Sequence, residues 1–215
     1  MEGVVVGAVL GGDGKKVTDL SVEEYKATVL DHVRQLDEER RDDTEDESET
    51  EARLDCLSVA SVQFSMLETN ISQPVKLQFF NQNSSFVLYN LARMHQLLRT
   101  FDHLVNTNMF PPLPDHINVS LLSEPGEWEI IFNFMLSYSQ VLRDSAEQLN
   151  LQKIVIFLNS LACSFSKYYN RVKILKDSLP HLVPCVHARI FFIKLLSQIV
   201  VDALSILNIK FVSKM

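Results

Sequence analysis

The 215-residue chain has only three cysteines, six glycines and one tryptophan, and these shortages remove whole classes of function. Cys56, Cys163 and Cys185 are odd in number and widely spaced. Neither a disulfide framework nor a paired metal spacing can be built on them, so they read as reduced core thiols of an intracellular protein. His181 and His187 flank Cys185, but one thiol and no nearby fourth ligand give zinc too few donors. The one cluster of glycines, Gly11-Gly-Asp-Gly14 before Lys15-Lys16, has the wrong spacing for a Walker loop and reads as a turn between two strands. His-Glu-x-x-His and Gly-x-Ser-x-Gly are absent as well, so no catalytic group, metal or cofactor is expected. Met1 to Leu10 is apolar without a basic leader, which argues against a secretory signal and for a cytoplasmic protein. A long uninterrupted hydrophobic run is also missing. In the most apolar tract, Val186 to Leu207, the residues Arg189, Lys194, Gln198 and Asp202 recur every four or five positions. That pattern predicts a core helix with one wet edge and no membrane association.

Charge is present in quantity but unevenly placed. The formal net charge is −7, yet Asp37 to Glu51 alone holds ten carboxylates against Arg40 and Arg41. With almost no apolar residue to offset the entropy of ordering, this stretch is expected to be a solvated, disordered linker; an exposed charged helix is the other reading, since Glu and Arg are good helix formers. The expected organisation is therefore a short strand-turn-helix segment over 1–36, an acidic linker over 37–52 and one helical domain over 53–215. The opposite charge collects at the far end. Gln152 to Met215 contains nine Lys and Arg against two Asp, and at its centre runs Phe165-Ser-Lys-Tyr-Tyr-Asn-Arg-Val-Lys-Ile-Leu-Lys176. Aromatic rings that stack on unpaired bases, set among cations that neutralise phosphates, form the composition that single-stranded RNA recognition requires.

Periodicity predicts helices nearly everywhere else. Ser21 can cap a helix over Val22 to Arg34 with Glu24 answering three residues later. Apolar residues recur at helical steps over Leu57 to Leu67, Ser84 to Phe101, Glu127 to Tyr138 and Leu151 to Tyr169. Phe110-Pro-Pro-Leu-Pro114 is expected to be extended. The fold class is mainly α, an antiparallel helical bundle with a short N-terminal α/β remnant. Within it Tyr89 and Arg93 share one helix face, as a core Tyr covered by an Arg or as an exposed pair. Tyr168 and Tyr169 diverge by about 100° on a helix, so one of them is expected outside, near Asn170, Arg171 and Lys173. Trp128, among Phe132 and Phe134, reads as a core anchor.

Several of these segments resemble the C-terminal anticodon-binding domain of arginyl-tRNA synthetases, a helical bundle called the DALR domain. Tyr89-Asn-Leu-Ala-Arg93 is similar to its Tyr-Ala-x-Ala-Arg helix, Tyr168-Tyr169 to its late Phe-Tyr pair, and Leu207-Asn-Ile…Met215 to its terminal Leu-Gly-Ile…Met, with Asn208 in place of the glycine. The likeness extends to animal DALR anticodon-binding domain-containing proteins through Leu57 to Leu67, Gly126-Glu-Trp128 with Phe132-Asn133, Phe165 to Val172 and Pro180-His-Leu182. It covers Arg53 to Met215, and neither the His-x-Gly-His nor the Lys-Met-Ser-Lys motif of the synthetases occurs in the chain. The resemblance implies a non-catalytic tRNA-binding adaptor that presents the anticodon arm of arginine tRNAs to a methyltransferase forming 3-methylcytidine. On this reading Lys167, Arg171, Lys173 and Lys176 hold phosphates, and Tyr89 and Tyr169 stack on bases. Arg93 donates to a base edge or phosphate, Tyr168 and Asn170 belong to the same surface, and Met215 packs near the anticodon. The alternatives are a protein-interaction scaffold whose basic face docks an acidic partner, and the separated C-terminal part of a synthetase-like enzyme.

Overall fold

Ser21 opens the first helix as its spacing to Glu24 indicates: the Glu24 amide donates to Ser21 Oγ at 3.1 Å and the Ser21 amide donates to Glu24 Oε2 at 2.9 Å. These bonds hold the Glu24 carboxyl below its ordinary pKa. The helix, α1 (Val22–Glu38), turns Tyr25, Val29 and Val33 inward at four-residue steps. The computed structural model describes residues 8–11, 15–17, 21–38, 47–70, 72–76, 81–175 and 181–211.

Helix α2 (Glu47–Leu67) lies against α1 and carries Leu54, Leu57, Ala60 and Phe64 into the same core. Both ends of the acidic stretch are therefore helical: Asp37 and Glu38 close α1, and Glu47 to Glu51 open α2. Residues 39–46 lie outside the described residues. Arg34 pairs with Glu51 and Lys26 with Asp55 across the two helices. Residue Tyr25 and its two partners, in the segment expected to stand apart, thus share one apolar core with α2.

Two very short strands, β1 (Val9–Leu10) and β2 (Val75–Lys76), pair in parallel with Val9 opposite Val75. Beyond β1, Gly11 N donates to Lys15 O at 2.8 Å and Val17 N to Val9 O at 3.1 Å, and the expected glycine turn falls on residues 12–14, outside the described residues.

The remaining helices are α3 (Gln82–Asn106), α4 (Pro125–Ile130), α5 (Tyr138–Glu147), α6 (Gln152–Arg171) and α7 (Val183–Ile206). Asn81 caps α3 by accepting from Ser84 N at 2.9 Å, while its own amide donates to Ser61 Oγ of α2 at 2.6 Å. Between α3 and α4 the proline segment 111–114 has no regular structure. Its anchor is Phe110, edge-on to Phe101 and to His187, whose Nε2 is 3.0 Å from Pro111 O. His187 thus serves as a packing residue. Beyond α4 the chain widens into one π-helical stretch, Ile131–Met135, in which Leu136 N donates to Ile131 O.

Helix α7 runs through the middle of the bundle, with Ile190, Phe192, Ile193, Leu196, Val200, Ala203 and Leu204 buried. No helix among the described residues is long and apolar enough to cross a membrane. The expected wet edge needs one correction: Lys194, Gln198 and Asp202 are exposed, but Arg189 is only 2% exposed. It is turned inward because Glu127 of α4, itself 0% exposed, meets it there. Glu127 Oε1 accepts from Arg189 Nε at 2.7 Å and from the Tyr168 hydroxyl at 3.0 Å, and Oε2 accepts from the Glu124 amide at 2.9 Å. Burial alone would lower the Arg189 pKa, but the hydrogen bond and charge of Glu127 outweigh it, so the guanidinium stays charged. Burial, then the Glu127 charge, pushes the Tyr168 phenol well up, so it stays a neutral donor. At the same crossing Gly126 lets α4 approach α6: a Cβ there would sit 3.0 Å from Arg171 Nη2 and 3.6 Å from Tyr168 Cδ2.

The chain leaves α7 through Asn208 at φ 54°, and Ile209 N donates to Leu204 O at 2.9 Å. Asparagine is the residue after glycine that best tolerates this left-handed cap, so the glycine of the resemblance is replaced without loss of geometry. The tail then crosses α2, with Gln63 Nε2 donating to Asn208 O and Cys56 Sγ to Lys210 O.

Two stability predictions follow from this architecture. Replacing Glu127 by Ala strands the buried Arg189 charge and should cost about 3–5 kcal/mol in urea unfolding, whereas the triple change Glu127→Leu, Arg189→Met, Tyr168→Phe should cost far less. Equal losses in the two variants would mean that packing, not charge, governs the crossing. Leu149 is 75% exposed at φ 49°, so Leu149→Gly should raise stability by about 1 kcal/mol, and Asn208→Val should lower it by about 1–2 kcal/mol. Urea midpoints at constant slope decide both.

Candidate nucleic-acid interface

On α3 the residues around Tyr89 divide by helical geometry: Val87, Leu88, Leu91 and Ala92 are buried, and Tyr89 and Arg93 are left on the outer face. Tyr89 is 42% exposed, so it is no core residue. Arg93 Nη2 donates to the Tyr89 hydroxyl at 2.6 Å, and the guanidinium carbon lies 4.2 Å from the Tyr89 ring centroid. The same carbon lies 4.9 Å from the ring of Tyr169, which comes from the last turns of α6. Three residues that are eighty positions apart at their extremes therefore meet as a guanidinium clasped between two phenol rings. Tyr169 is half-buried and leans on Phe165 at 5.9 Å. Each exposed cation–π contact contributes about 0.5–1 kcal/mol, so the clasp is a light one, easily exchanged for a ligand.

Tyr168 goes the other way. It is 1% exposed, packed on Phe165 and Phe192 with its hydroxyl on Glu127, and it has no face to offer a base. Its place among the candidate contacts is corrected accordingly: of two adjacent helical residues, the core took the first. Lys167, Asn170, Arg171 and Lys173 are all exposed. Lys167 and Arg171 are four apart on one stripe of α6, and Arg171 reaches over Gly126 of α4. Lys173 is held outward between the buried Val172 and Ile174. The cations and the clasp thus occupy different sides of the same helix end, since Arg171 and Tyr169 are about 200° apart around the axis. Lys176 and Met215 lie outside the described residues. The described tail ends at Phe211, whose ring is 5.8 Å from that of His95, two positions from Arg93 on α3. Burial, and then Arg99, lowers the His95 pKa and keeps that ring neutral.

Two other expectations change. Trp128 is 37% exposed rather than a core anchor, because its Nε1 donates to Leu122 O at 2.8 Å and its ring stacks on Phe132 at 5.8 Å. Of the expected core thiols, Cys163 is exposed on α6, and Cys56 and Cys185 are half-buried. The Glu127–Arg189–Tyr168 network was missed, and only the isolation of one arginine in an apolar tract hinted at it. Among the described residues no group of three His, Cys, Asp or Glu side chains is placed to hold a metal.

Chains of known type share this fold. The solved arginyl-tRNA synthetase of Thermus thermophilus superposes with a TM-score of 0.77 at 21% identity, over 96% of this chain and 34% of its own. In sequence, the DALR anticodon-binding domain-containing protein 3 of Danio rerio is 31% identical in an alignment of 175 positions that covers 71% of this chain and 31% of that protein. The arginine–tRNA ligase of Borrelia hermsii is 28% identical in an alignment of 165 positions that covers 74% of this chain and 26% of the ligase. This chain therefore corresponds to about a third or less of the length of the relatives it matches. The family model described as DALR anticodon binding domain matches residues 87–215, more than half of the chain and all of the clasp, and the chain belongs to that family.

Proposed function

We propose that the chain binds tRNA through the end of α6 and the outer face of α3, reading the anticodon arm of arginine tRNAs without catalysing a reaction itself. The observation that supports this reading is the clasp of Arg93 between Tyr89 and Tyr169, which gathers two aromatic rings and a planar donor at one place on the surface. Unpaired bases of an anticodon loop can stack there, and the Arg93 donors can meet a base edge or a phosphate. Lys167, Arg171 and Lys173, with Lys176 of the same basic cluster, supply the cations that a stem backbone needs, and Met215 is proposed to pack near the anticodon. The finer reading is an adaptor in the cytoplasm, which holds arginine tRNAs for a methyltransferase forming 3-methylcytidine. It is supported by the likeness to the animal domain-containing proteins and by the lack of a catalytic motif in the sequence.

Replacing Tyr89, Arg93 or Tyr169 singly by Ala should weaken binding of an arginine anticodon stem-loop by about 1–3 kcal/mol each, stacking being worth that much per base. Melting temperature should move little for Tyr89 and Arg93, and Tyr89→Phe should keep most of the affinity. Full affinity in all three Ala variants would remove the clasp from the RNA site. Changing Lys167, Arg171 and Lys173 together to Gln should lower the slope of log affinity against log salt by about 2–3, as loss of three phosphate contacts requires. An unchanged slope would place the phosphates elsewhere. For the adaptor reading, 3-methylcytidine formation on arginine tRNA by the purified methyltransferase should rise when the chain is added and should not rise with Arg93→Ala.

A further inference from the structure

The Arg93 guanidinium is always charged, yet the ion pairs among the described residues all involve other groups. What holds it is the ring of Tyr89 at 4.2 Å, the ring of Tyr169 at 4.9 Å and the Tyr89 hydroxyl at 2.6 Å. The attraction is that of an aromatic quadrupole for positive charge, and any flat cation of the right size can exploit it. Arg93 is thus the chain's own occupant of a seat for a planar cation. The seat can be vacated, because Tyr89 is 42% exposed and Arg93 is only half-buried on a flexible stem. The cations of α6 do not crowd it. Lys167 and Arg171 are each two positions from Tyr169 and lie about 200° around the helix from it.

The inference rests on the tRNA reading above, in which a loop base enters beside Tyr89 and Tyr169 as the guanidinium turns to a phosphate. A neutral base brings stacking and leaves the two rings without their cation. A base whose ring carries a delocalised positive charge brings stacking and also replaces the cation that left. We propose that Tyr89 and Tyr169 select a loop base that is positively charged, the class to which ring-nitrogen-methylated bases belong. 3-Methylcytidine is one of that class, so the chain holds a methylated anticodon arm more tightly than an unmodified one and reads the modification. The exposed Lys167, Arg171 and Lys173 at the end of α6 suit a polyanion, which favours a nucleic-acid base over a methylated arginine of a protein tail.

The full chain is titrated with arginine anticodon stem-loops that are identical except at one loop cytidine, which is unmodified, 5-methylated or 3-methylated, each loop cytidine being tested in turn. The 5-methyl base is neutral and controls for the added methyl group. At one loop position the 3-methylated stem-loop should bind about fivefold or more tightly than the other two. This preference is a ratio measured on one protein, so a loss of folded fraction in a variant cancels from it. Tyr89→Leu and Tyr169→Leu keep apolar bulk without a ring and should bring the ratio to about one. Tyr89→Phe should retain it, and Arg93→Ala, which removes the competing cation, should raise it. Equal affinity for the 3-methylated and unmodified loops at every position overturns the proposal, and so does a preference that both leucine variants keep. Equal tightening by the two methyl groups overturns it too, since that is packing without charge. In these three outcomes stem-loop binding survives and the tRNA reading with it; failure of every stem-loop to bind overturns both. Tighter binding of a dimethylarginine peptide than of the 3-methylated stem-loop makes a protein tail the occupant and overturns the proposal as well.

Discussion

The buried pair of Glu127 and Arg189 is the contact on which the arrangement of α4, α6 and α7 rests. It joins α4 to the central α7, and through the Tyr168 hydroxyl it also holds the last turns of α6. A buried ion pair adds little net stability over apolar residues of the same shape, because desolvation cancels most of the attraction. Its effect is on specificity: a sliding α4 or a rotating α6 would strand a charge in the core. Tyr168 is thereby fixed inward, and the direction of its neighbours follows from helix geometry.

The clasp at α3 is a consequence of that constraint. With Tyr168 facing Glu127, Tyr169 is carried about 100° onward and meets Arg93, while Arg171 falls over Gly126. The energies are of different order. Breaking the Glu127 pair costs several kcal/mol, and the cation–π contacts of Arg93 are worth about 1 kcal/mol or less each at partly exposed sites. The fold is therefore held elsewhere, and the clasp is free to exchange its partner.

The tail illustrates how a departure from a family pattern is absorbed. The left-handed position after α7 needs a residue with a small conformational penalty, and Asn208 meets that need at φ 54°. Ile209 then buries, the Lys210 carbonyl accepts from Cys56 Sγ, and Phe211 arrives beside His95 on the same helix as Arg93.

Most of the helices, the Ser21–Glu24 cap, the proline connection and the shared face of Tyr89 and Arg93 were legible in the sequence, because each depends on residues close together along one element. The motif order that marks the DALR family was legible for the same reason. The rest was decided by tertiary structure. Whether Tyr168 or Tyr169 faces solvent, whether Arg189 is wet or buried, and whether Trp128 anchors the core or stands on its rim all depend on partners 41 to 62 positions away or on a neighbouring loop. A local pattern states that a residue has a face; only packing against a distant helix, where an unpaired charge is too costly to bury, determines which way that face turns.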